Sequence, residues 1–288
     1  MIEEFIKAKK SKYANNSILA MRRDLNGFRK YLETKNISII NAPKLLISSF
    51  LLALKDEKKS DATIKRQLST LKKFYKFQLK NGKIEEDPTK NIKVPKTKRY
   101  GLDFLTVQEI EVLFTEIYKK ENKRDIAIIE LLYGTGIRVS EIIDIKISDL
   151  DLEKTSNIII SSNKKRLIPL NKKSFEALIS YIESEERKVL ESKNMSKGIL
   201  FLNHSGKKLS RQSVWKIIKK YANLAKISKK ITPQILRDSF CLHILRNGAD
   251  VFIVKEIMGF SDLMSLNIYL SLIKNRTKEV FNKCHPRN

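Results

Sequence analysis

Residues 84–104, IEEDPTKNIKVPKTKRYGLDF, divide the sequence into two parts. Pro88 and Pro95 interrupt helix formation, and basic residues dominate the second half of the segment. We predict an extended interdomain linker here. A chain of 288 residues is long enough for two ordinary domains. The linker predicts that these domains span 1–83 and 105–288.

The first part of the chain has the apolar spacing of amphipathic helices. Apolar residues recur every three or four positions after the polar run Asn15-Asn16-Ser17, which we expect to cap a helix. These apolar residues are Ile18, Met21, Leu25, Phe28 and Leu32. The pattern predicts a small helical bundle.

Segment 60–83 separates an apolar face from a basic face at helical spacing. The apolar residues are Ile64, Leu68, Leu71 and Tyr75, and the basic ones are Lys65, Lys72 and Lys76. A lysine stripe of this kind is either a solvated helix face or a surface that lies on DNA phosphates. The two interpretations are equally supported by this segment.

The charge of the whole chain indicates a polyanionic partner. There are 58 Lys and Arg residues against 32 Asp and Glu residues, a formal net charge of +26. Nucleic acid is the first candidate for such a partner. A membrane is excluded as the partner because the most apolar stretch, 45–54, is too short to span a bilayer and is flanked by charges. The N-terminus lacks the pattern of a signal peptide, so we expect a cytoplasmic protein.

The second part of the chain is mostly helical, with one exception. Thr106 and Glu109 form a capping-box pattern that opens its first helix. The segment SNIIISSNKKRLIPL, 156–170, contains two β-branched runs around a polar turn and predicts a hairpin. The predicted fold class is therefore mainly α, a helical bundle followed by a mostly helical domain with a small antiparallel hairpin.

Three segments of the second part contain residues suited to phosphodiester chemistry. Cleavage requires fixed positive charges, a nucleophile and a proton donor, and arginine binds phosphate through two parallel hydrogen bonds. Arg138 lies in LYGTGIRVSEIIDI, Arg237 in ITPQILRDSFCLHILRNGAD and Tyr269 in IMGFSDLMSLNIYLSL. Cys241 and Cys284 match no zinc spacing and form no disulfide framework. We predict neither a metal nor a cofactor.

The order and context of these segments closely resemble the tyrosine recombinases of the phage-integrase family, and among them the Xer type. The likeness includes the T-G-x-R-x-S-E segment, the hairpin, the L-R helix, the N-G-A-D turn, the G-x-S-D segment and a C-terminal His-Pro-Arg at 285–287. It spans nearly the whole chain. The resemblance implies an N-terminal SAM-like core-binding domain for 1–83 and a catalytic domain for 105–288.

The resemblance implies a mechanism and an assembly. Tyr269 would attack the scissile phosphate to form a 3′-phosphotyrosyl link, and Arg138 and Arg237 would clamp the phosphate oxygens. The hairpin, including Arg166, would lie against double-stranded DNA, and the two domains would close around the duplex. Four protomers, or this chain with a second recombinase, would assemble on paired sites. The tail, 271–288, would pack into a neighbouring protomer.

The sequence departs from the family pattern at four positions. The pattern has histidine where Gln234 stands, histidine or lysine where Asp238 stands, and histidine or tryptophan where Phe260 stands. The hairpin lysine that protonates the leaving oxygen aligns with Ser161, whose hydroxyl is too weak an acid for that task. Gln234 still has an amide that donates a hydrogen bond to a phosphate, but it cannot shuttle a proton. Loss of a general acid lowers a rate by roughly a hundred- to ten-thousand-fold.

Other residues offer partial replacements. Lys164 or Lys165, in the polar turn of the hairpin, are candidates for a substitute acid. An aspartate beside a phosphate clamp, as at Asp238, is unexpected unless it faces away and pairs with a lysine. His243 lies six residues after Arg237, so it points to a different side of the helix and is expected to be structural.

Three functions are compatible with this set of residues. The first is a site-specific DNA strand-exchange enzyme, slow or completed by a partner protomer. The second is a DNA-binding or architectural paralogue that has kept the clamp and lost the chemistry. The third, which the sequence favours least, is a nicking-closing enzyme that relaxes supercoils without pairing sites.

Overall fold

The computed structural model divides the chain into two compact units, Met1–Tyr100 and Gly101–Asn288. The residues it describes are 1–93, 101–152, 156–161, 165–192, 198–273, 281–282, 284 and 286. Lys164, Pro95, His285 and Arg287 therefore lie outside the described residues, as does most of the tail after Ile273. The predicted fold class, mainly α with a small antiparallel sheet, is confirmed.

The first unit is a helical bundle, as predicted. Its helices are α1 (Ile2–Lys9), α2 (Asn15–Glu33), α3 (Lys44–Asp56) and α4 (Asp61–Lys80). All five apolar residues predicted to form the core face of α2 are buried. The predicted cap of this helix is wrong, because Asn15 and Asn16 lie inside its first turn and Ala14 is the N-cap, without a side-chain hydrogen bond.

Helix α4 has the two faces that its sequence predicts. Its four apolar residues pack into the core of the first unit. Beside this apolar face Lys65 and Lys76 are exposed and Lys72 is partly exposed, and together they line a shallow cavity with Leu68 and Ser69. We call these three lysines the lysine face. Their contact with DNA stays a prediction.

The segment after α4 is not extended where the structure describes it. Residues 85–86 form a bend and residues 88–91 form turns. Thr89 and Ile92 are buried, and Ile92 packs in the core of the helical bundle. Asp87 accepts hydrogen bonds from the backbone amide and the hydroxyl of Thr89. The prediction of an extended linker is therefore wrong for 84–93, because local hydrogen bonds and the apolar side chains of Ile84 and Ile92 hold this part to the first unit.

The second unit packs its helices around α6. Its helices are α5 (Val107–Tyr118), α6 (Lys123–Thr135), α7 (Val139–Ile142), α8 (Lys172–Ile182), α9 (Glu185–Ser192), α10 (Arg211–Leu224), α11 (Pro233–Arg246), α12 (Val251–Met258) and α13 (Asn267–Ser271). Helix α6 is buried along most of its length between α8 and α11. The predicted capping box at α5 is confirmed, with the Thr106 hydroxyl accepting from the Glu109 amide and the Glu109 carboxylate accepting from the Thr106 amide.

The predicted hairpin is confirmed and gains a third strand. Strands β2 (Asn157–Ile160) and β3 (Arg166–Pro169) pair antiparallel, and β1 (Leu150–Asp151) pairs with β2. Ile158, Ile160 and Ile168 face the core. Strand β1 has two residues, too few for the alternation that identifies a strand in sequence.

Within the described ranges, no helix is long and apolar enough to cross a membrane. Helix α3, which contains the most apolar stretch of the chain, buries Ile47, Phe50 and Leu54 and exposes Leu45 and Leu52. It is therefore an amphipathic helix of the bundle.

Removal of the α5 cap should lower the stability of the second unit. Thr106→Ala leaves the Glu109 amide without its hydroxyl acceptor, so we expect the free energy of unfolding to fall by about 1 kcal/mol. Thr106→Ser retains the hydroxyl and is the matched control. Urea unfolding followed by the fluorescence of Trp215, the one tryptophan of the chain, measures the change. Identical midpoints for the two variants would contradict a stabilising role of the cap.

Candidate active site

Arg237 lies in the middle of the buried helix α11. Thr232 caps this helix by accepting from the Ile235 amide, and Pro233 occupies its first turn. The Arg237 guanidinium donates hydrogen bonds to the carbonyl oxygens of Gly136 and Met258, which fix its orientation. Burial, and next the charge of Arg138, lower the pKa of Arg237 to about 10, so it stays protonated at neutral pH. A fixed, poorly hydrated cation of this kind is suited to an anionic ligand.

Arg138 follows the sharp turn that ends α6. Gly136 has φ +60°, and a Cβ there would lie 2.4 Å from Phe240 Cδ1, so the turn requires glycine. The Arg138 side chain is partly exposed and donates to the Gly259 carbonyl oxygen at 2.9 Å and to Glu141 at 3.2 Å. Arg138 and Arg237 line the same cavity of about 400 Å³. The turn thus brings together two arginines that lie 99 positions apart in the sequence.

The same cavity contains residues that the sequence analysis did not select. Arg211 and Trp215 line it from α10. Arg211 is exposed at the start of this helix, and Trp215 is about one third exposed. Neither residue stands in a recognisable motif, and basic residues are too frequent in this chain for one of them to stand out in the sequence.

The carboxylate of Glu141 binds both Arg138 and Arg166. Arg166 donates two parallel hydrogen bonds to it at 2.8 Å each, and the Arg138 amide donates a third at 2.9 Å. Burial opposes ionisation of Glu141, but the hydrogen bonds and charges of the two arginines lower its pKa to about 2. The ion pair with Arg166 is almost completely buried.

Arg166, which we predicted to contact DNA, is not exposed for such a contact. Its side chain is only 3% exposed and points into the protein, where Nε also donates to the Ile257 carbonyl oxygen at 3.0 Å. A Cβ at Gly259 would lie 2.9 Å from Arg166 Cζ, so glycine makes room for the guanidinium. The strand carrying Arg166 was predicted correctly, but the direction of the side chain depends on Glu141, which is 25 residues away.

The hydroxyl of Tyr269 binds to Asp238. Tyr269 lies in α13 and is buried, and its Oη donates to Asp238 Oδ1 at 2.6 Å. Gln234, one turn earlier in α11, donates from Nε2 to the same oxygen at 2.8 Å. Asp238 therefore faces the candidate nucleophile, and of the two orientations that the sequence left open it does not take the one that turns away from the site.

Burial raises the pKa of both members of this contact. The pKa of Tyr269 is raised first by burial and then by the hydrogen bond and charge of Asp238. Burial also raises the pKa of Asp238, although the hydrogen bonds from Tyr269 and Gln234 oppose this. The phenol of Tyr269 is thus protonated at neutral pH.

Phe260 packs between the arginine and the tyrosine. The Arg237 Cζ atom lies 5.4 Å from the centroid of the Phe260 ring, a cation–π contact. The ring centroids of Phe260 and Tyr269 are 6.3 Å apart. Phe260 cannot donate a hydrogen bond, but it holds one side of the Arg237 guanidinium.

The remaining predicted residues lie at the hairpin or in the core. Ser161 follows β2, Lys165 precedes β3, and both are exposed. His243 is buried, and its Nδ1 pairs with the Tyr133 hydroxyl at 3.0 Å, as expected for a structural histidine. Cys241 is also buried.

The retained arginines, the buried tyrosine and the fold together define a tyrosine recombinase, an enzyme that breaks and rejoins DNA through a tyrosine. The chain belongs to the phage integrase family. The model of that family matches residues 103–276, and the model of the phage integrase N-terminal SAM-like domain matches residues 2–82.

Similar proteins include curated recombinases and solved structures. The tyrosine recombinase XerD of Staphylococcus epidermidis is 37% identical, over 100% of this chain and 99% of that protein. XerD of Oceanobacillus iheyensis is 36% identical, over 95% and 93%. The crystal structure of the XerH site-specific recombinase bound to palindromic difH substrate has a TM-score of 0.76 at 21% identity, covering 97% of this chain and 93% of that one. The Tn1549 transposon integrase in complex with circular intermediate DNA has a TM-score of 0.75 at 20% identity, covering 93% and 94%.

Replacement of the central carboxylate should destabilise the second unit in a pH-dependent way. Glu141→Gln leaves Arg166 without its buried counter-charge, and the pKa difference between 4.5 and about 2 corresponds to about 3 kcal/mol at pH 7. As the pH falls from 4.5 towards 2, the wild type takes up the proton and loses this contribution, so the two proteins converge.

Urea unfolding at a series of pH values, followed by Trp215 fluorescence, measures this convergence. Glu186→Gln, at an exposed glutamate of the same unit, is the control and should match the wild type throughout. Equal stability of Glu141→Gln and the wild type at pH 7 would contradict the role of the ion pair.

Proposed function

We propose that Tyr269 attacks a phosphodiester of double-stranded DNA and forms a 3′-phosphotyrosyl link. The bond between Tyr269 Oη and phosphorus forms while the bond from phosphorus to the 5′ oxygen breaks. The phenol loses its proton, and the leaving oxygen gains one to become a 5′-hydroxyl. A 5′-hydroxyl from another strand then reverses the reaction, which completes site-specific recombination.

One observation carries this proposal. Asp238, which binds the Tyr269 hydroxyl, directly follows Arg237, which lines the cavity with Arg138. The nucleophile is therefore tied to the same helix as one of the two cations. This arrangement supports a phosphate held by Arg138 and Arg237 within reach of the phenol.

The arginines act by electrostatic stabilisation. The attack places extra negative charge on the non-bridging oxygens, and arginine donors that are already oriented stabilise that charge without reorganisation. The carbonyl oxygens that bind Arg237, and Glu141 that binds Arg138, supply this orientation.

The proton for the leaving oxygen comes from a lysine of the hairpin turn. Ser161 is exposed at the end of β2 and is too weak an acid. Lys165 is exposed at the start of β3, and Lys164 precedes it in the chain. We propose Lys165 or Lys164 as the donor, with cleavage slower than a site with an optimally placed lysine would allow.

The active assembly is a set of protomers on paired DNA sites. Solved relatives of this fold include XerH bound to difH substrate and a lambda integrase dimer bound to a core site. On this chain three apolar side chains are strongly exposed: Phe252 and Ile253 in α12, and Met264 in the short 3-10 helix that follows it. These residues support contact with a neighbouring protomer close to Tyr269, in a homotetramer or with a second recombinase.

A trapping assay tests the nucleophile. The substrate is a nicked duplex, selected from a random library for tight binding, from which the short cleaved strand diffuses away. The wild type should form a covalent protein–DNA adduct on a denaturing gel, and Tyr269→Phe should form none, because the substitution removes only the attacking oxygen. Phe260→Tyr adds a phenol next to the site and should not restore the adduct in the Tyr269→Phe background.

An adduct that persists in Tyr269→Phe would refute the assignment of the nucleophile. Tight binding of the wild type without any adduct would instead indicate a DNA-binding paralogue. Relaxation of a supercoiled plasmid without recombinant product would indicate a nicking-closing enzyme.

Neutralisation of the lysine face should reduce the salt dependence of DNA binding. With all three lysines changed to glutamine, we expect the slope of log K against log salt concentration to become shallower by about 0.9 for each DNA phosphate that a lysine no longer neutralises. The control is a triple glutamine variant with the same net charge, at lysines that pair with neighbouring carboxylates in the second unit: Lys119, Lys172 and Lys188. Equal changes of slope in the two variants would show that the effect comes from net charge alone and that the lysine face does not contact DNA phosphates.

A further inference from the structure

We propose that Asp238 is the general base of this enzyme, which takes the phenolic proton of Tyr269 as the phosphate is attacked. The inference rests on the proposed function of Tyr269 as the nucleophile. It assigns the proton-accepting role to a residue at which the family pattern has histidine or lysine.

The geometry of the contact is that of a base and its proton donor. Tyr269 Oη and Asp238 Oδ1 are 2.6 Å apart, within the range of a hydrogen bond from a hydroxyl to a carboxylate. Both residues are buried, so water competes poorly for either group. The hydrogen bond already joins the donor oxygen to the oxygen that would accept its proton.

Gln234 holds the carboxylate in place. Its Nε2 donates to Asp238 Oδ1 at 2.8 Å, the same oxygen that accepts from Tyr269. An amide cannot take the proton itself. Gln234 is therefore a positioning residue, and Asp238, which touches the reacting oxygen, is a catalytic one.

The proton balance of the step is complete. In cleavage the phenolic proton passes to Asp238, Oη bonds to phosphorus, and the 5′ oxygen leaves with a proton from a separate donor, the hairpin lysine proposed above. In rejoining, a 5′-hydroxyl gives its proton to that second group, and the departing phenolate recovers its proton from Asp238.

The charge of Asp238 changes in the direction that favours the transition state. An ionised carboxylate next to Arg237 repels a bound phosphate, whereas the neutral acid formed by proton transfer does not. The repulsion is thus relieved as negative charge develops on the phosphate oxygens. An interaction that improves only during the reaction raises its rate.

The opposite role for Asp238 is a lock that keeps the tyrosine inactive. In that case the hydrogen bond holds Oη away from the phosphate, and weakening it speeds cleavage. The two roles predict opposite effects of the same substitution, Asp238→Asn. Asparagine has nearly the same size and still accepts a hydrogen bond from Tyr269, but it cannot accept the proton.

The test measures first-order cleavage of the nicked duplex with wild type, Asp238→Asn and Gln234→Ala. We expect Asp238→Asn to cleave roughly a hundred- to ten-thousand-fold more slowly, and Gln234→Ala to lose a smaller factor. A second substrate carries sulfur in place of the leaving 5′ oxygen. Because a thiolate leaves without protonation, this substrate removes the need for a general acid, and it should not rescue either variant if the lost function is that of the base.

Controls separate the chemistry from folding and charge. Asp56→Asn, at an exposed residue of the first unit, makes the same change in net charge and should cleave as the wild type does. DNA affinity and Trp215 fluorescence report whether each variant is folded. If Asp238→Asn does not fold, Asp238→Ser takes its place, because it should slow cleavage of both substrates if Asp238 is a base and speed it if Asp238 is a lock.

Each outcome has one meaning. Cleavage by Asp238→Asn at the wild-type rate or faster overturns the inference while Tyr269 remains the nucleophile. Rescue by the sulfur substrate also overturns it, because that result assigns Asp238 to the leaving oxygen. Absence of a Tyr269-dependent adduct in the wild type overturns the proposed function and this inference together.

Discussion

The buried carboxylate of Glu141 holds the candidate site together. It accepts hydrogen bonds from Arg138 on one side and from both terminal nitrogens of Arg166 on the other. Through Arg166 it connects the hairpin to the end of α12, where Ile257 contributes a carbonyl oxygen. Loss of one member of a buried ion pair leaves an uncompensated charge, so all these elements depend on the same group. The orientation of Arg138 towards the cavity follows from this anchor.

Helix α11 carries three residues of the candidate site. Gln234, Arg237 and Asp238 lie within five residues of each other, and each has a specific partner in the site. Three of the four positions that depart from the family pattern contact a retained residue or one another. Gln234 binds Asp238, Asp238 binds Tyr269, and Phe260 packs on Arg237. These three altered positions therefore form a connected set around the tyrosine, and their chemistry has to be judged as a unit.

Local patterns predicted the secondary structure where one face of an element is buried. The core face of α2, the two faces of α4, the α5 capping box and the hairpin were all predicted from spacing and turn chemistry. Predictions failed where a tertiary contact overrode the local preference of the sequence. Residues 84–93 contain a proline and basic residues, yet they pack as turns because Thr89 and Ile92 are buried. Arg166 stands in a basic turn sequence, yet it is buried because Glu141 requires a partner.

The sequence by itself determined the class of fold and the identity of the arginines and the tyrosine, because these depend on periodicity and on residues in a recognisable order. It also determined which positions depart from the family pattern. The tertiary structure alone decided where the altered residues point. Asp238 and Tyr269 are 31 positions apart, and only the packing of α13 against α11 brings the phenol to the carboxylate. Periodicity specifies the buried face of a helix, whereas the partner of a buried polar group depends on elements that are distant in the chain.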